Sequence, residues 1–297
     1  MPIVERAPAK INLGLHVLRK RPDGYHDVET VLHRIDWADT VTAQPADTLS
    51  MTCSDPALPT DDDNLCLQAA RRLATACDVT GGAELHLEKR VPYGTGLGGG
   101  SSDAAATLRL LTRLWDLDPS PNQLHEIARS IGADVPFFLN DAPAAYATGR
   151  GDDLTPLYGN DHPYRLPYPL LVVVPPIEIA TPDAYAQVTP HDANRPGLPD
   201  LVRSGDLSRW RSALVNDFEP SVTEQYPEVA AARAWLVEAG APYVSLSGSG
   251  GAVYGVFENS EQAEAAFEAG QDRKEQVHFS PGPERSPKDT PASVSRT

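Results

Sequence analysis

A glycine- and serine-rich loop at residues 92–102 is the part of this chain whose residue types best suit chemistry. It reads Pro-Tyr-Gly-Thr-Gly-Leu-Gly-Gly-Gly-Ser-Ser and lies between a strand pattern and a helix pattern. Consecutive backbone N–H groups, a helix N-terminus and serine hydroxyls together suffice to bind an anion. A plain turn has no need of so many glycines, because each adds to the entropy lost on ordering. The loop therefore predicts a phosphate site made by Pro92, Gly94, Gly96, Leu97, Gly98, Gly99, Gly100, Ser101 and Ser102.

Two commoner phosphate-binding motifs do not account for this loop. Three of its glycines satisfy the G-x-G-x-x-G dinucleotide fingerprint, which also requires an acidic residue after a following strand. The acids near that distance, Asp116 and Asp118, instead end the following helix and lead into prolines. A Walker A loop requires lysine at the position of Gly100. The loop therefore lacks a cation of its own, and we expect one from elsewhere in the chain.

Two charged residues in apolar surroundings are candidates to complete the site. Lys10 lies between Ala9 and Ile11, where a charge is costly unless it has a partner. An exposed strand lysine is the plainer alternative. Asp134 precedes Val-Pro-Phe-Phe, so it should have either a raised pKa or a cationic partner, which Lys10 would supply. A helix-capping or turn aspartate ahead of Pro136 is the plainer alternative for Asp134.

The elements that must position these residues follow from periodicity and turn chemistry. Alternation or short apolar runs indicate strands, and apolar residues at helical spacing indicate helices. Strands are predicted at residues 3–16, 28–37, 84–88 and 170–174. Helices are predicted at residues 65–77, 104–115, 122–131, 207–215, 228–239 and 261–269. The order of strand, glycine loop and helix places a helix N-terminus at the two serines of the loop.

A proline-rich stretch at residues 160–169 indicates a boundary between two domains. We expect an N-terminal domain at residues 1–160, which carries the glycine loop, and a C-terminal domain at residues 161–270. Residues 271–297 contain mostly Lys, Glu, Ser, Pro and Arg with few apolar anchors. This composition predicts a disordered tail.

The charge balance limits the partners of the chain. The formal net charge is -16, which repels nucleic acid and anionic membranes. The same charge opposes polyphosphate binding, so local amides and cations must overcome the field of the whole protein. Scarce lysine beside abundant aspartate suggests adaptation to high salt, and an ordinary acidic protein is the plainer alternative. We expect a small-molecule ligand, with no nucleic-acid or membrane partner.

Apolar runs and cysteines together predict a cytoplasmic protein. No apolar run approaches the ~20 residues of a membrane span. The N-terminus lacks the charged-then-apolar pattern of a signal peptide. Cys53, Cys66 and Cys77 have the spacing of neither a disulfide framework nor a zinc site, so we expect reduced thiols. The oligomeric state does not follow from the sequence.

Three segments resemble the motifs of the GHMP kinases, the family that includes galactokinase, homoserine kinase and mevalonate kinase. They are the loop at residues 92–102, Ala-Pro-Ala-Lys-Ile-Asn-Leu at residues 7–13, and Leu-Ser-Gly-Ser-Gly-Gly at residues 246–251. One branch of the family, which acts on a cytidine-diphosphate-linked methylerythritol, is similar to this chain at residues 21–26, 132–138 and 216–219. The resemblance covers about residues 4–258.

The resemblance implies a two-domain α+β GHMP kinase fold with the active site in the cleft between the domains. It implies ATP-dependent phosphorylation of the 2-hydroxyl of 4-diphosphocytidyl-2-C-methyl-D-erythritol, in the non-mevalonate isoprenoid pathway. The loop is then expected to hold ATP phosphates, and Mg²⁺ is expected on phosphates and water rather than on protein ligands. Lys10 is implied to lie beside the acceptor hydroxyl and Asp134, which accepts or orients the hydroxyl proton.

The resemblance also implies a site for the cytidine group. Tyr25 and His26 are expected to stack on the base and hydrogen-bond its edge, and Tyr185 to form a second aromatic wall. Asn12 is implied to contact polar groups of the substrate. The plainer alternative is that these aromatic residues merely lie at the surface.

Two other functions compete with this one. Another GHMP kinase, of the homoserine or mevalonate type, has no cytosine to recognise, so the pair Tyr25 and His26 argues against it. A non-catalytic nucleotide sensor would keep the loop without the chemistry. The presence of both Lys10 and Asp134 argues against the sensor.

Overall fold

Two long strands, β1 (Ile3–Lys20) and β2 (His26–Ala46), form the antiparallel ribbon on which this fold is built. Both belong to a computed structural model, which describes residues 1–159, 161–192 and 195–282. Residues 9–17 of β1 are buried without alternation. A strand is buried on both faces in this manner when other elements cover both sides of its sheet. The ribbon is therefore an interior element, and the polar residues within it need partners.

The first sheet has six strands. The strands that join the ribbon are β3 (Ser50–Cys53), β4 (Gly82–Glu88), β5 (Ala144–Thr148) and β6 (Asp153–Pro156). Their order is β3-β4-β2-β5-β6, with β1 paired to β2. The helices of this half are α1 (Leu65–Ala76), α2 (Gly99–Leu114), α3 (Pro121–Ile131) and α4 (Val135–Leu139). Their apolar faces form one core with the sheet.

The second sheet lies in the C-terminal half, after a small hairpin of β7 (Tyr158–Gly159) and β8 (His162–Pro163). Its antiparallel strands are β9 (Leu170–Val174), β10 (Tyr243–Leu246), β11 (Val253–Val256) and β12 (Gln276–Ser280), in the order β10-β11-β9-β12. The helices are α5 (Thr181–Gln187), α6 (Leu198–Ser204), α7 (Leu207–Ala213), α8 (Glu219–Gln225), α9 (Pro227–Glu238) and α10 (Ser260–Ala269). The α+β class expected from the resemblance is confirmed.

A continuous apolar core joins the two halves. Ile11 and Val31 of the ribbon belong to the same buried cluster as Trp210 of α7 and Tyr254 of β11. The hydroxyl of Tyr254 also donates to the backbone oxygen of Asn12 at 2.8 Å. Burying a large apolar side chain contributes about 1.5–3 kcal/mol, so this cluster holds the halves against each other firmly. The predicted domain limits at residues 160 and 270 stay predictions.

The predicted disordered tail is wrong in its first part. β12 pairs with β9 from Gln276 opposite Val174 to Ser280 opposite Leu170. The side chain of Phe279 packs near Phe267, with ring centroids 6.1 Å apart. The strand was missed because its apolar residues are few and only the neighbouring strand shows their purpose. Residues 283–297 of the predicted tail lie outside the described residues.

Within the part of the chain that the structure describes, every helix is too short or too polar to cross a bilayer.

Candidate active site

The glycine loop follows β4 and leads into α2, in the order that the sequence predicts, but the helix begins at Gly99, before the two serines at which its N-terminus was expected. Gly98 is the N-cap of α2, has φ +69°, and offers no side chain to cap the helix. The first backbone N–H groups of a helix have no partner within it, so they remain available to a ligand. Gly98 and Ser101 both line a large cavity. The positive end of a helix therefore faces a space that can receive an anion.

A second glycine loop, residues 247–251 between β10 and β11, docks directly on the first. Ser247 Oγ donates to the carbonyl oxygen of Gly96 at 3.0 Å, and Ala252 N donates to that of Thr95 at 3.0 Å. A Cβ on Gly96 would lie 2.0 Å from the carbonyl oxygen of Ser247, and one on Gly250 would lie 2.3 Å from the Thr95 backbone. The contact between the two loops therefore requires glycine at these two positions, independently of any phosphate binding.

Asn216 holds the second loop in place. Its side-chain amide donates to the carbonyl oxygens of Leu246 at 2.8 Å and Gly248 at 2.9 Å. Its Oδ1 accepts from the backbone N–H of Phe218 at 3.0 Å. All three polar groups of this buried side chain thus have partners, which makes it a rigid support. In the sequence, Asn216 lies in the family-like segment at residues 216–219, and nothing there indicates this supporting role.

Lys10 brings the predicted residues together. Its side chain is 4% exposed, and its ammonium donates to Asn12 Oδ1 at 2.7 Å and to the carbonyl oxygen of Gly96 at 2.8 Å. The carboxylate of Asp134 lies 3.5 Å from the same ammonium. The backbone N–H of Lys10 donates to Leu97 O at 2.9 Å. The ammonium is therefore buried with partners on three sides, and the plainer alternative of an exposed lysine does not hold.

Asp134 occupies the N-cap position of α4, yet its side chain makes no capping hydrogen bond. The carboxylate is 33% exposed, lines the cavity and faces the ammonium of Lys10. A carboxylate with a cationic partner and an open side can accept a proton from a bound hydroxyl. The helix-capping alternative therefore explains the position of the backbone of Asp134 and leaves its side chain unexplained.

The aromatic residues of the cavity lining are arranged differently from the expectation. His26 stacks directly on Tyr185, with centroids 4.8 Å apart and planes at 22°. A base needs about 7 Å between two rings that sandwich it, since each stacking contact takes about 3.5 Å. Tyr185 therefore supports His26 instead of forming a wall across an open slot. Burial first, and then the charge of Lys20, lower the pKa of His26, which favours the neutral imidazole.

Tyr25 is 55% exposed and lies at the cavity edge, with the guanidinium of Arg150 4.3 Å from its ring centroid. Arg150 sits between two glycines with positive φ, Gly149 and Gly151, at the turn that joins β5 to β6. The sequence showed this segment only as a turn rich in glycine and aspartate. Arg150 is therefore a cavity residue that sequence reasoning missed, because only the fold brings the turn to Tyr25.

The cavity has a volume of about 900 Å³ and contains most of the predicted residues. Its lining includes Lys10, Asn12, Tyr25, His26, Gly96, Gly98, Ser101, Asp134 and Tyr185. Leu97 and Ser102 are buried away from it, and the hydroxyl of Ser102 has no hydrogen-bond partner. The side chains of these two residues therefore do not reach the cavity. The cavity lining also leaves out Pro92 and Gly94 at the start of the loop and Gly99 and Gly100 in the first turn of α2.

A buried charged cluster lies beneath the loop and was also missed. Lys89, directly after β4, pairs with Asp39 of β2 at 2.6 Å and with Asp103 of α2 at 2.8 Å. All three side chains are at most 4% exposed. Asp39 and Asp103 are 50 and 14 positions from Lys89 along the chain, so no local pattern could indicate the cluster.

Comparison with known proteins gives the class. The family model "GHMP kinases N terminal domain" matches residues 64–142, and "GHMP kinases C terminal" matches residues 198–276. A crystal structure of mevalonate kinase superposes with a TM-score of 0.74 over 94% of this chain and 99% of that one, at 12% identity, which concerns the fold alone. With the loop, the cavity and the fold on one chain, the class is that of the GHMP small-molecule kinases.

The branch within that class follows from nearer relatives. The chain is 68% identical to 4-diphosphocytidyl-2-C-methyl-D-erythritol kinase of Salinibacter ruber (strain DSM 13855 / M31), over 95% of this chain and 100% of the relative. It is 47% identical to the enzyme of that name from Chlorobium chlorochromatii (strain CaD3), over 89% and 91%. A crystal structure titled 4-(cytidine 5'-diphospho)-2C-methyl-D-erythritol kinase has a TM-score of 0.78 at 32% identity, over 94% and 100%. The chain belongs to the 4-diphosphocytidyl-2-C-methyl-D-erythritol kinase family.

Proposed function

We propose that this chain transfers the γ-phosphoryl group of ATP to the 2-hydroxyl of 4-diphosphocytidyl-2-C-methyl-D-erythritol, in the cytoplasm and within the non-mevalonate isoprenoid pathway. The observation that carries the proposal is the 3.5 Å approach of Lys10 Nζ and Asp134 Oδ2 beside the glycine loop. A proton acceptor, a cation and a phosphate site meet at one point of the cavity. That arrangement suits phosphoryl transfer to an alcohol.

In the proposed reaction, the substrate oxygen forms a bond to the γ-phosphorus as the bond to the β–γ bridging oxygen breaks. ADP leaves with that oxygen, and the hydroxyl proton passes to Asp134. Lys10 stabilises the charge that develops on the transferring group. Because Asn12 Oδ1 and Gly96 O hold its ammonium at 2.7 and 2.8 Å, the cation is in place before ATP arrives.

The phosphates of ATP are proposed to lie on the backbone amides at the start of α2, with Ser101 beside them. Among the described residues, no group of three or more His, Cys, Asp or Glu side chains could hold a metal ion. Mg²⁺ would then be held by phosphate oxygens and water, where it neutralises the charge of the polyphosphate. The residues of this chain position the phosphates and move the proton, and no protein ligand is assigned to the ion.

Recognition of cytosine is proposed to fall to Tyr25 and His26. Tyr25 is more than half exposed and lines the cavity, which makes its ring accessible for base stacking. His26, kept neutral by burial and steadied by Tyr185, can donate and accept hydrogen bonds at the base edge. Burial, and after it the charge of Asp134, raise the pKa of Tyr185 to about 12, so this supporting ring stays uncharged.

One assay separates the proposal from its competitors. ATP-dependent formation of ADP and of the phosphorylated product is measured in parallel with the cytidyl substrate, homoserine and mevalonate. Product with the cytidyl substrate alone is the expected result. Product with homoserine or mevalonate alone would assign another GHMP activity. ATP binding without product from any of the three would indicate the nucleotide sensor.

A further inference from the structure

The buried cluster of Asp39, Lys89 and Asp103 closes the base of the glycine loop. Lys89 lies just before the loop and Asp103 directly after Ser102, and their side chains meet at 2.8 Å. Asp39 Oδ1 accepts from the backbone N–H of Val91 at 2.8 Å, so this carboxylate also holds the entry to the loop. The two ends of the loop are therefore joined through one ammonium.

The same ammonium lies against the first residue of α2. A Cβ built on Gly99 would be 3.0 Å from Lys89 Nζ, a tight contact that the ammonium could relieve only by shifting. The backbone N–H groups that begin α2 are those proposed to hold the ATP phosphates. A shift of Lys89 would therefore move the helix start, and with it the direction of those donors.

The cluster contains two carboxylates and one ammonium, so its pairing is incomplete. Asp103 Oδ1 is buried without a hydrogen-bond partner. Burial above all, opposed by Lys89 and assisted by the charge of Asp39, raises the pKa of Asp103 to about 7. The carboxylates outweigh the burial of Lys89 and raise its pKa, so it stays a cation. The charges of Lys89 and Asp103 also act on two thiols packed nearby, those of Cys66 on α1 and Cys53 on β3.

We propose that the cluster positions the glycine loop for ATP, and that the ion pair between Lys89 and Asp103 sets the affinity for ATP without touching the nucleotide. Lys89, Asp39 and Asp103 are thus positioning residues. The proposal rests on the proposed function only in that the glycine loop binds ATP. When Asp103 takes up a proton, its ion pair with Lys89 is lost and the loop loses one of its two end supports.

The sign of the pH effect follows directly. As the pH falls through the neutral range, Asp103 gains a proton, and the dissociation constant for ATP should rise. We expect a rise of roughly tenfold between about pH 8.5 and about pH 6, the scale of one lost charge-assisted contact. The Michaelis constant for the cytidyl substrate should stay constant, because Tyr25 and His26, which are proposed to bind its cytosine, are not part of the cluster.

Asp103→Asn is the decisive variant, since asparagine keeps the size of the side chain and removes its charge at every pH. Calorimetry with a non-hydrolysable ATP analogue at fixed free Mg²⁺ should give weak binding for Asp103→Asn that no longer changes with pH beyond the change in the analogue itself. Asp118→Asn, an exposed aspartate after α2, is the matched control and should behave like the wild type. Equal analogue affinity in Asp103→Asn and wild type at both pH values would overturn the proposal.

A measurement on the unmodified protein covers the case in which Asp103→Asn fails to fold. Hydrogen exchange of the loop amides at residues 93–101, corrected for the intrinsic pH dependence of exchange, should show less protection at the lower pH. Unchanged protection would overturn the proposal. The analogue assay needs no turnover, so a wild type that binds it with the expected pH dependence but forms no product would refute the proposed function alone. Turnover with pH-independent analogue binding would refute the positioning role alone.

Discussion

The ammonium of Lys10 donates to the carbonyl oxygen of Gly96 at 2.8 Å, although the two residues are 86 positions apart. The glycine loop thereby receives from β1 the cation that it lacks in its own sequence. The contact is made to the backbone of the loop, so the fold sets the distance between the cation and the proposed phosphate site. Lys10 and the loop form one unit, and Asp134, at the start of α4, lies beside it.

Asp134→Asn should abolish most turnover while leaving ATP binding intact. Asparagine keeps the shape beside Lys10 but cannot take the hydroxyl proton, and loss of a general base costs about 10²–10⁴-fold in kcat. Single-turnover rates and calorimetry with an ATP analogue measure the two effects separately. Asp141→Asn, an exposed aspartate just beyond α4, serves as control. Turnover of the Asp134 variant close to that of the control would remove this carboxylate from the mechanism.

Gly96→Ala should destabilise the protein and displace both glycine loops. The new Cβ would lie 2.0 Å from Ser247 O, at a residue with φ +85°. Gly240→Ala is a matched control, because Gly240 has φ +90° and nothing within 4 Å of a Cβ. Both variants incur the backbone cost of about 1 kcal/mol, and only Gly96→Ala adds the clash. Chemical denaturation should therefore show a larger loss of unfolding free energy for Gly96→Ala, and equal losses would contradict the loop contact.

His33→Gln should reduce the acid sensitivity of the fold. Burial above all, with the charges of Arg165 and Arg34, lowers the pKa of His33 to about 4, and its Nε2 accepts from Leu166 N at 2.9 Å. His33 takes up its proton near pH 6.5 in the unfolded chain but only near pH 4 in the folded protein. The neutral side chain therefore contributes fully to the free energy of unfolding above pH 6.5, and that contribution is lost as the pH decreases from 6.5 towards 4. The loss amounts to about 1.4 kcal/mol per pH unit in that window.

Chemical denaturation gives the free energy of unfolding of the wild type and of His33→Gln at about pH 7.5 and about pH 5.5. The effect of His33 is the amount by which the change between the two pH values differs between the two proteins. Glutamine retains an acceptor for Leu166 and has no proton to gain. The wild type should lose more stability than the variant on acidification. Parallel losses in both proteins would show that His33 does not contribute.

Added KCl should raise the unfolding temperature if the acidic surface reflects adaptation to high salt. A net charge of -16 disfavours the compact state through self-repulsion, and at 1 M salt the screening length falls to about 3 Å. Thermal unfolding is followed from low salt to molar KCl, with sucrose of equal osmolality as the control for solvent exclusion. If KCl stabilises the protein no more than sucrose does, the hypothesis of adaptation to high salt is wrong and the chain is an ordinary acidic protein.

The sequence was sufficient where a pattern is long or a motif is local. The long helices α1, α3, α9 and α10 lie within two residues of their predicted limits, because their apolar periodicity is sustained over several turns. The short helices α4, α5, α6 and α8 have five to seven residues and proline in the first turn. Proline is favourable at that position, yet in a sequence it reads as a loop signal.

For the site, the sequence could indicate Lys10 and Asp134 because each is a charge in an apolar segment. It could not indicate Arg150 or the cluster around Lys89, since their partners come from distant elements. The stacking of His26 on Tyr185 was likewise invisible, because it depends on where α5 packs against the ribbon. Residue types could thus indicate some of the candidate site residues, whereas tertiary packing decides which side chains contact each other.

The docking of the two glycine loops has a mechanical consequence. Ser247 and Ala252 bond to Gly96 and Thr95 with no side chain between the backbones, so the two halves cannot separate at this point without breaking that contact. An opening of the cleft would therefore pivot about the loops, with the largest travel in the parts of the cavity lining that lie furthest from them. Ligand groups bound beside the loops would then move least, while the rest of the lining could move to admit and release the remainder of a ligand.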